Sequence, residues 1–107
     1  MSPAKAPAFV RHDVPESAYF QWQSGVLHCD GVSLEDIARD IDTPTFVYSA
    51  RAIDDAYDAV SSSAVKVGAR ATLVAYAVKA NGNLALLRRL ASRGCGADIV
   101  SEGELAR

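Results

Sequence analysis

Residues 72–81 read TLVAYAVKAN, and this stretch decides the fold class of the chain. Residues 72–78 form an apolar run of the kind found in strands that are covered on both faces, as in parallel sheets. Asn83 then predicts the cap of a helix over residues 84–93. Residues 97–100, ADIV, predict the next strand. A strand, a helix and a strand at this spacing indicate a βαβ unit on a parallel sheet.

The same alternation extends upstream. Residues 45–48, TFVY, predict a strand, and Ser49 predicts the cap of a helix that Gly68 ends. The apolar positions of this helix recur at helical spacing. They are Ile53, Ala56, Tyr57, Val60, Ala64 and Val67. The order of elements therefore indicates an α/β protein, without distinguishing a closed barrel from an open sheet.

The first part of the chain has a different pattern of residue types. Residues 19–28 contain aromatic and polar residues in partial alternation, and Ser24-Gly25 suits a turn, so we expect a short strand or hairpin. Ser33 predicts the cap of a short helix over residues 34–40. The predicted organisation is a flexible arm over residues 1–17, a strand and short helix over residues 18–43, and the α/β region over residues 44–107.

Composition excludes several classes of function. The 107 residues are 50% hydrophobic and 22% charged, which is ordinary for a globular domain. A net charge of -2 gives no electrostatic basis for binding nucleic acid or an acidic membrane. We expect a cytoplasmic protein, because no apolar run approaches the roughly 20 residues that span a bilayer, and Lys5 is not followed by an apolar block.

The cysteines and their neighbours do not indicate a metal centre. Cys29 and Cys95 are far apart and have no metal-ligand spacing, so neither a disulfide nor a zinc site is expected. His28, Cys29 and Asp30 are adjacent, and adjacent side chains point in different directions. A turn that ends at Gly31 is the better interpretation.

Lys79 is the first candidate for chemistry. It follows the apolar strand, and functional groups in parallel α/β folds collect at the carboxyl ends of strands. Strand alternation places Lys79 on the face of Ala77 and Ala75, whose small side chains leave room for a ligand. The plain alternative is a lysine that ends the strand and reaches into water. The chemical interpretation is a Schiff-base lysine, a partly desolvated amine that condenses with an aldehyde cofactor.

Asp98 is the second candidate. It lies in the next predicted strand, one βα unit after Lys79. A carboxylate within a short apolar strand needs a partner or a binding site, although an acidic side chain at a strand margin can also face solvent. Cys95 lies at the other end of that strand, so we expect no catalytic role for its thiol.

Two segments together resemble a known class of enzymes. Residues 76–81, YAVKAN, and residues 94–105, GCGADIVSEGEL, resemble the alanine-racemase-like class of pyridoxal-phosphate enzymes. This class includes the group-IV decarboxylases of diaminopimelate, ornithine and arginine. The SEGEL segment resembles the diaminopimelate decarboxylase branch, and the likeness extends over residues 19–107.

The resemblance implies a fold, a cofactor and a reaction. The fold is an eight-stranded (β/α) TIM-like barrel with a β-domain, to which the segment before residue 44 is joined. The cofactor is pyridoxal 5'-phosphate, bound by Lys79 with Asp98 beside it, and Ala77 is expected to line the same space. The reaction removes the carboxylate at the D-configured carbon of meso-2,6-diaminopimelate and yields L-lysine in the last step of lysine biosynthesis. The family works as a homodimer.

The resemblance also implies residues that this sequence does not contain. In the family, the glycine loop for the phosphate, the acidic partner of the pyridine nitrogen, and a cysteine and tyrosine of the shared site lie further along. Only three residues follow Glu104, so we expect a truncated chain with an incomplete barrel. Residues 1–107 alone are expected neither to decarboxylate diaminopimelate nor to hold the cofactor in a defined site.

Three alternatives to diaminopimelate decarboxylation stay open. One is a related decarboxylase of ornithine, arginine or carboxynorspermidine. Another is a homologue that binds pyridoxal phosphate without catalysis. The third is an inactive βαβ fragment.

Overall fold

A three-stranded antiparallel sheet begins the part of the chain that the computed structural model describes, residues 16–68 and 72–106. Its strands are β1 (Phe20–Gln23), β2 (Val26–Cys29) and β3 (Val32–Ser33). Ser24 and Gly25 have φ angles of 48° and 85°, which suit a tight hairpin turn between β1 and β2. The predicted hairpin is therefore confirmed. The first fifteen residues of the predicted arm lie outside the described residues.

A short helix follows this sheet. It is α1 (Leu34–Ile41), and the Ser33 hydroxyl accepts a hydrogen bond from the Asp36 backbone N–H at 3.2 Å, as the capping pattern predicted. Within residues 16–45, Cys29 is the buried side chain, and these residues belong to a unit of their own, Met1–Thr45. Burial raises the pKa of the Cys29 thiol, with a further contribution from the charge of Asp30.

The second unit, Phe46–Arg107, is built from alternating helices and parallel strands. Its elements are α2 (Ala50–Lys66), β4 (Ala75–Ala77), α3 (Leu84–Ser92), β5 (Gly96–Asp98) and α4 (Glu102–Leu105). Strands β4 and β5 pair in parallel, with α3 in the connection between them. The predicted mixed α/β class is confirmed.

The helices of the second unit begin where their capping residues predicted. The Ser49 hydroxyl accepts a hydrogen bond from the Ala52 N–H at 3.0 Å at the start of α2. Asn83 does the same for α3 through its side-chain oxygen. Ser101 and Glu104 form the predicted capping box of α4. Because these bonds join residues that are close in sequence, local sequence suffices to predict them.

The predicted strands are longer than the observed ones. Residues 45–48 belong to no sheet, and Phe46 is 91% exposed. The strand predicted over residues 72–78 is limited to β4, and the one predicted over 97–100 is shifted to β5. A strand needs a neighbour for its backbone hydrogen bonds, and the described residues pair β4 with β5 over three residues only.

Ion pairs join α2 to α3. The Arg89 guanidinium donates two hydrogen bonds to the Asp54 carboxylate, at 2.9 and 2.6 Å, and Arg93 pairs with Asp58. The hydrogen bond from Arg89 is the main cause that holds the pKa of Asp54 below its ordinary value. Among the described helices, none combines the length and apolar character that crossing a bilayer would require.

Candidate active site

The turn that follows β4 carries Lys79. Strand β4 ends at Ala77, and residues 78–80 form a single turn of 3-10 helix. Val78 is only 3% exposed, whereas Lys79 is exposed. The expectation that strand alternation would orient Lys79 is therefore wrong, because the strand conformation stops two residues earlier. Exposure also differs from the partly desolvated amine that we expected.

The β4–β5 sheet has two unlike faces. Tyr76 and Ala97 are register partners on one face, and the buried Val78 follows them in the turn; we call this the helix-facing face. Tyr76, Val78 and Ala97 line one cleft of about 360 Å³ together with Leu87 and Leu90 of α3. This face therefore packs toward the helix.

The opposite face, which we call the open face, carries smaller side chains. Strand alternation and register place Ala75, Ala77, Gly96 and Asp98 there. Leu73 lies over its amino-terminal end, because a Cβ atom on Gly96 would approach a Leu73 methyl carbon to 3.2 Å. Side-chain size thus falls from Leu73 to the alanines, which leaves room near the carboxyl ends of the strands.

The structure brings the three predicted site residues to that end of the sheet. Ala77 and Asp98 are register partners at the last positions of β4 and β5, and Lys79 is two residues beyond Ala77. Within residues 16–68 and 72–106, the Lys79 amine and the Asp98 carboxylate make no hydrogen bond or ion pair, and both residues are exposed. Both groups are therefore available to a ligand.

Hydrogen bonds hold the loops on which these residues lie. The Tyr76 hydroxyl donates to the Asn81 backbone oxygen at 3.1 Å, across the turn that carries Lys79. In the loop after Asp98, the Glu104 carboxylate accepts hydrogen bonds from the backbone N–H groups of Val100 and Ser101, at 2.6 and 3.1 Å. The hydrogen bond from Tyr76 to Asn81 was not predicted from the sequence. The position of both residues within the YAVKAN segment was the signal that could have indicated it.

Other candidate features do not contain Lys79 or Asp98. A cleft of about 540 Å³ is lined by Ile53 and Tyr57 of α2, Ala75, Tyr76 and Ala77 of β4 and Leu90 of α3, so it shares Ala77 with the predicted site but includes neither Lys79 nor Asp98. The described residues contain no group of three His, Cys, Asp or Glu side chains placed to hold a metal ion. The Cys95 thiol contacts the Val74 backbone oxygen at 3.3 Å.

The α/β region defines the class to which the chain belongs. Residues 52–107, just over half of the chain, match the family model of the pyridoxal-dependent decarboxylases, over their pyridoxal-binding domain. The chain is therefore a member of the pyridoxal-dependent decarboxylase family. The resemblance of the YAVKAN and SEGEL segments to this class is confirmed.

Similar proteins within the family are diaminopimelate decarboxylases. The chain is 43% identical over 81 residues to that of Neisseria meningitidis serogroup A, and 44% identical over 90 residues to that of Vibrio cholerae. These alignments cover 76% and 83% of this chain but 19% and 21% of the relatives. The chain thus spans about a fifth of the length of the relatives that it matches.

Solved structures give the same result. The crystal structure of diaminopimelate decarboxylase from M. jannaschii superposes with a TM-score of 0.75 at 36% identity, covering 82% of this chain and 21% of that one. A second structure of that enzyme, in complex with L-lysine, has a TM-score of 0.73 at 39% identity, with coverage of 83% and 21%. The described α/β elements are therefore arranged as in these enzymes.

The donor set at the strand ends fits the cofactor of this family. Pyridoxal phosphate carries an aldehyde, with which a primary amine such as that of Lys79 can condense. Asp98 supplies a negative charge on the neighbouring strand end, and the small side chains of Ala75 and Ala77 leave space on the open face. This chain therefore provides an amine, a carboxylate and a sheet face with small side chains, all of which suit this cofactor.

Proposed function

We propose that the protein to which residues 1–107 belong catalyses the pyridoxal-phosphate-dependent decarboxylation of meso-2,6-diaminopimelate to L-lysine and CO2. The observation that carries this proposal is the placement of Lys79 and Asp98 at the carboxyl ends of adjacent parallel strands, beside small side chains. The relatives that match are named diaminopimelate decarboxylases, and one solved relative holds L-lysine, the product of this reaction.

Lys79 has two roles in this proposal. Its Nζ atom would hold the cofactor at the aldehyde carbon. The same Nζ atom then carries a proton at the site where the carboxylate departs. When bound, pyridoxal phosphate supplies the electron sink for the electron pair that CO2 leaves behind. The exposure of Lys79 in the described residues leaves its amine accessible to both partners.

Asp98 and Ala77 prepare the surroundings of this amine. The Asp98 carboxylate provides a negative charge that stabilises positive charge on the Lys79 side of the site. Ala77, its register partner, contributes a small side chain that leaves the open face accessible. A larger side chain at this position would occupy the space between the two functional groups.

The proposal includes a larger architecture. We propose that β4 and β5 are neighbouring strands of an eight-stranded (β/α) barrel, and that the strands around Trp22 join a β-domain. Their parallel pairing, with α3 in the connection, supports this arrangement. We also propose a homodimer, on the resemblance to the family. Sedimentation of the full-length protein should then give twice the mass of one chain.

Chemical trapping tests the role of Lys79. The full-length protein, loaded with pyridoxal phosphate, is reduced with borohydride, digested and analysed by mass spectrometry. The pyridoxyl group is expected on the peptide that contains Lys79. Lys66, an exposed lysine at the end of α2, serves as the internal control and should stay unlabelled. A label on a lysine other than Lys79 contradicts the proposal.

Substrate choice needs a separate measurement. The full-length protein is incubated with meso-diaminopimelate, ornithine, arginine and carboxynorspermidine in parallel, and the amine products are quantified. L-lysine is expected to form far faster than the other products. Turnover of another substrate in preference would assign the protein to a different branch of the family, and turnover of none would indicate a homologue that only binds the cofactor.

A further inference from the structure

One hydrogen bond closes the turn that carries Lys79. The Tyr76 hydroxyl donates to the Asn81 backbone oxygen at 3.1 Å, so the bond spans from the middle of β4 to the residue after the 3-10 turn. The N-cap residue that precedes the turn, Ala77, makes no side-chain hydrogen bond to it. Lys79 lies between the two ends that the bond joins.

The far end of this turn is tied to α3. The Asn81 side-chain oxygen accepts a hydrogen bond from the Asn83 N–H at 3.0 Å, and the Asn83 side chain accepts one from Ala85 at 2.9 Å. These bonds continue from Tyr76 through Asn81 to the first turn of the helix. The turn is thus held between a strand and a helix, and Tyr76 is its connection to the strand.

The ring and the hydroxyl of Tyr76 serve different purposes. The ring lies on the helix-facing face and lines the cleft beside Val78 and Leu90, a role that phenylalanine could fill. Within the described residues, the hydroxyl makes one hydrogen bond, the one to Asn81. Compared with phenylalanine, tyrosine at this position therefore adds one feature, the hydroxyl group that closes the turn.

Closure of the turn bears on the chemistry of a lysine. A three-residue 3-10 turn has poor hydrogen-bond geometry and changes conformation readily when nothing fixes it. The long Lys79 side chain has many rotamers, so a reactive position for its amine requires a fixed backbone beneath it. Reaction rates fall steeply when a reacting group is displaced by about 1 Å.

We propose that Tyr76 is a positioning residue for Lys79. Its hydroxyl fixes the turn from which the amine reaches the cofactor, while the hydroxyl itself touches neither cofactor nor substrate. This inference rests on the proposed role of Lys79 as the residue that binds pyridoxal phosphate. It differs from a purely structural role, in which the bond would stabilise the fold without affecting the cofactor.

Tyr57 provides a matched control. Its hydroxyl donates to the Arg93 backbone oxygen at 3.0 Å, and this bond joins α2 to the end of α3. Both tyrosines are partly buried, lie in the same unit and donate to a backbone carbonyl oxygen. Loss of either hydroxyl removes the same kind of bond, but only Tyr76 closes the turn that contains Lys79.

The experiment compares Tyr76→Phe with Tyr57→Phe in the full-length protein. Thermal unfolding of the cofactor-free protein should show similar decreases for both variants. The dissociation constant for pyridoxal phosphate should rise about fivefold in Tyr76→Phe, which corresponds to a typical hydrogen bond, and stay within about twofold of the parent in Tyr57→Phe. The pH at which the absorbance of the bound cofactor changes should also shift in Tyr76→Phe alone.

Two results would overturn the inference. One is an unchanged dissociation constant in Tyr76→Phe, and the other is an equal increase in both variants. If borohydride labels Lys79 in either case, the proposed function stands and only the positioning role fails. If the label is found on another lysine, the proposed function fails as well.

A second variant covers the case in which Tyr76→Phe does not fold. Incorporation of 3,5-difluorotyrosine at position 76 keeps the shape of the side chain but makes the phenol more acidic. As the pH rises and the phenol loses its proton, it can no longer donate to Asn81. Cofactor affinity relative to the parent should then fall with rising pH. The same substitution at position 57 should give no such trend, and a flat ratio at position 76 would contradict the inference.

Discussion

The helix-facing face and the open face of the β4–β5 sheet differ in the size of their side chains, and a buried residue follows the helix-facing face in the turn. On the helix-facing face, Val78 is buried and Tyr76 packs toward Leu90 of α3. On the open face, Ala77 is half-buried and Asp98 is exposed. The strand residues of both faces come from the same short segments, because successive side chains of a strand alternate between faces, whereas Val78 lies just beyond the strand in the 3-10 turn.

We therefore expect the helix-facing face to contribute to stability and the open face to contribute to ligand binding. Burial of apolar side chains against α3 supplies the free energy that holds the strands to the helix. The open face contributes little to that packing, so its side chains can be chosen for a ligand. Substitutions on the two faces should accordingly affect different measurements.

The largest effect is expected for Lys79→Ala in the full-length protein. In the proposed mechanism Lys79 binds the cofactor and moves the proton, so loss of the amine should lower the decarboxylation rate by about 10³-fold or more. The unfolding free energy of the cofactor-free protein should change by less than about 0.5 kcal/mol, because Lys79 is exposed. Lys66→Ala is the control and should leave both quantities unchanged. Strong destabilisation by Lys79→Ala would break the separation between the faces.

Asp98→Asn should give a smaller loss of activity. The change removes the charge at the end of β5, on the strand next to the one that leads to Lys79, but keeps the shape of the side chain, and we expect a decrease in kcat of about 10²-fold. Unfolding of the cofactor-free protein should be unaffected, because the carboxylate makes no ion pair within the described residues. Glu102→Gln, at a neighbouring exposed carboxylate, is the control. Equal activities for the two variants would remove Asp98 from the site.

Val78→Ala should act on stability instead. Val78 is buried on the helix-facing face, and truncation of its side chain should cost about 2 kcal/mol of unfolding free energy. Urea unfolding of the cofactor-free protein measures this. Val100→Ala removes the same atoms from an exposed residue and should cost less than about 0.5 kcal/mol. Similar costs for both would show that the helix-facing face is not the packed one.

The smallest effect concerns how the ion pair between α2 and α3 makes the unfolding free energy depend on pH. The Arg89 hydrogen bond lowers the pKa of Asp54 in the folded protein below its ordinary value of 3.8. The unfolded chain therefore binds more protons in acid, and the stabilisation is present above that value and lost as the pH falls toward the lowered pKa. Asp54→Asn should flatten the decrease in unfolding free energy below about pH 4.

Urea unfolding at each pH between 5 and 2 measures this difference. If the unfolding free energies of Asp54→Asn and the parent protein decrease in parallel, the ion pair does not stabilise the packing of α2 against α3 in solution.

Local sequence predicted the starts of the helices and the hairpin. The caps at Ser33, Ser49 and Asn83 were all identified from residue type and spacing. A capping bond joins residues two or three positions apart, so its formation depends little on the rest of the chain. The Ser24-Gly25 turn was also predicted from local sequence. Its two residues have the positive φ angles that a tight hairpin turn requires.

Contacts between distant residues were not predicted. Asp54 and Arg89 are 35 positions apart, and neither residue type nor spacing indicates that they meet. The strand predicted over residues 45–48 was wrong for a related reason, since a strand forms only where another strand accepts its hydrogen bonds. In the structure, Asp54 and Asp58 of α2 pair with Arg89 of α3 and with Arg93 just after it, which the residue types alone do not indicate.

By itself, the sequence determined the class of protein, the order of its helices and the identity of the lysine and aspartate near the strand ends. These follow from short segments whose residues act on their near neighbours. Only the tertiary structure decided that β4 stops at Ala77, that Lys79 lies in a 3-10 turn, and that Tyr76 closes this turn onto Asn81. Val78, the residue that follows the strand, is buried, and such burial depends on packing between elements that no local pattern specifies.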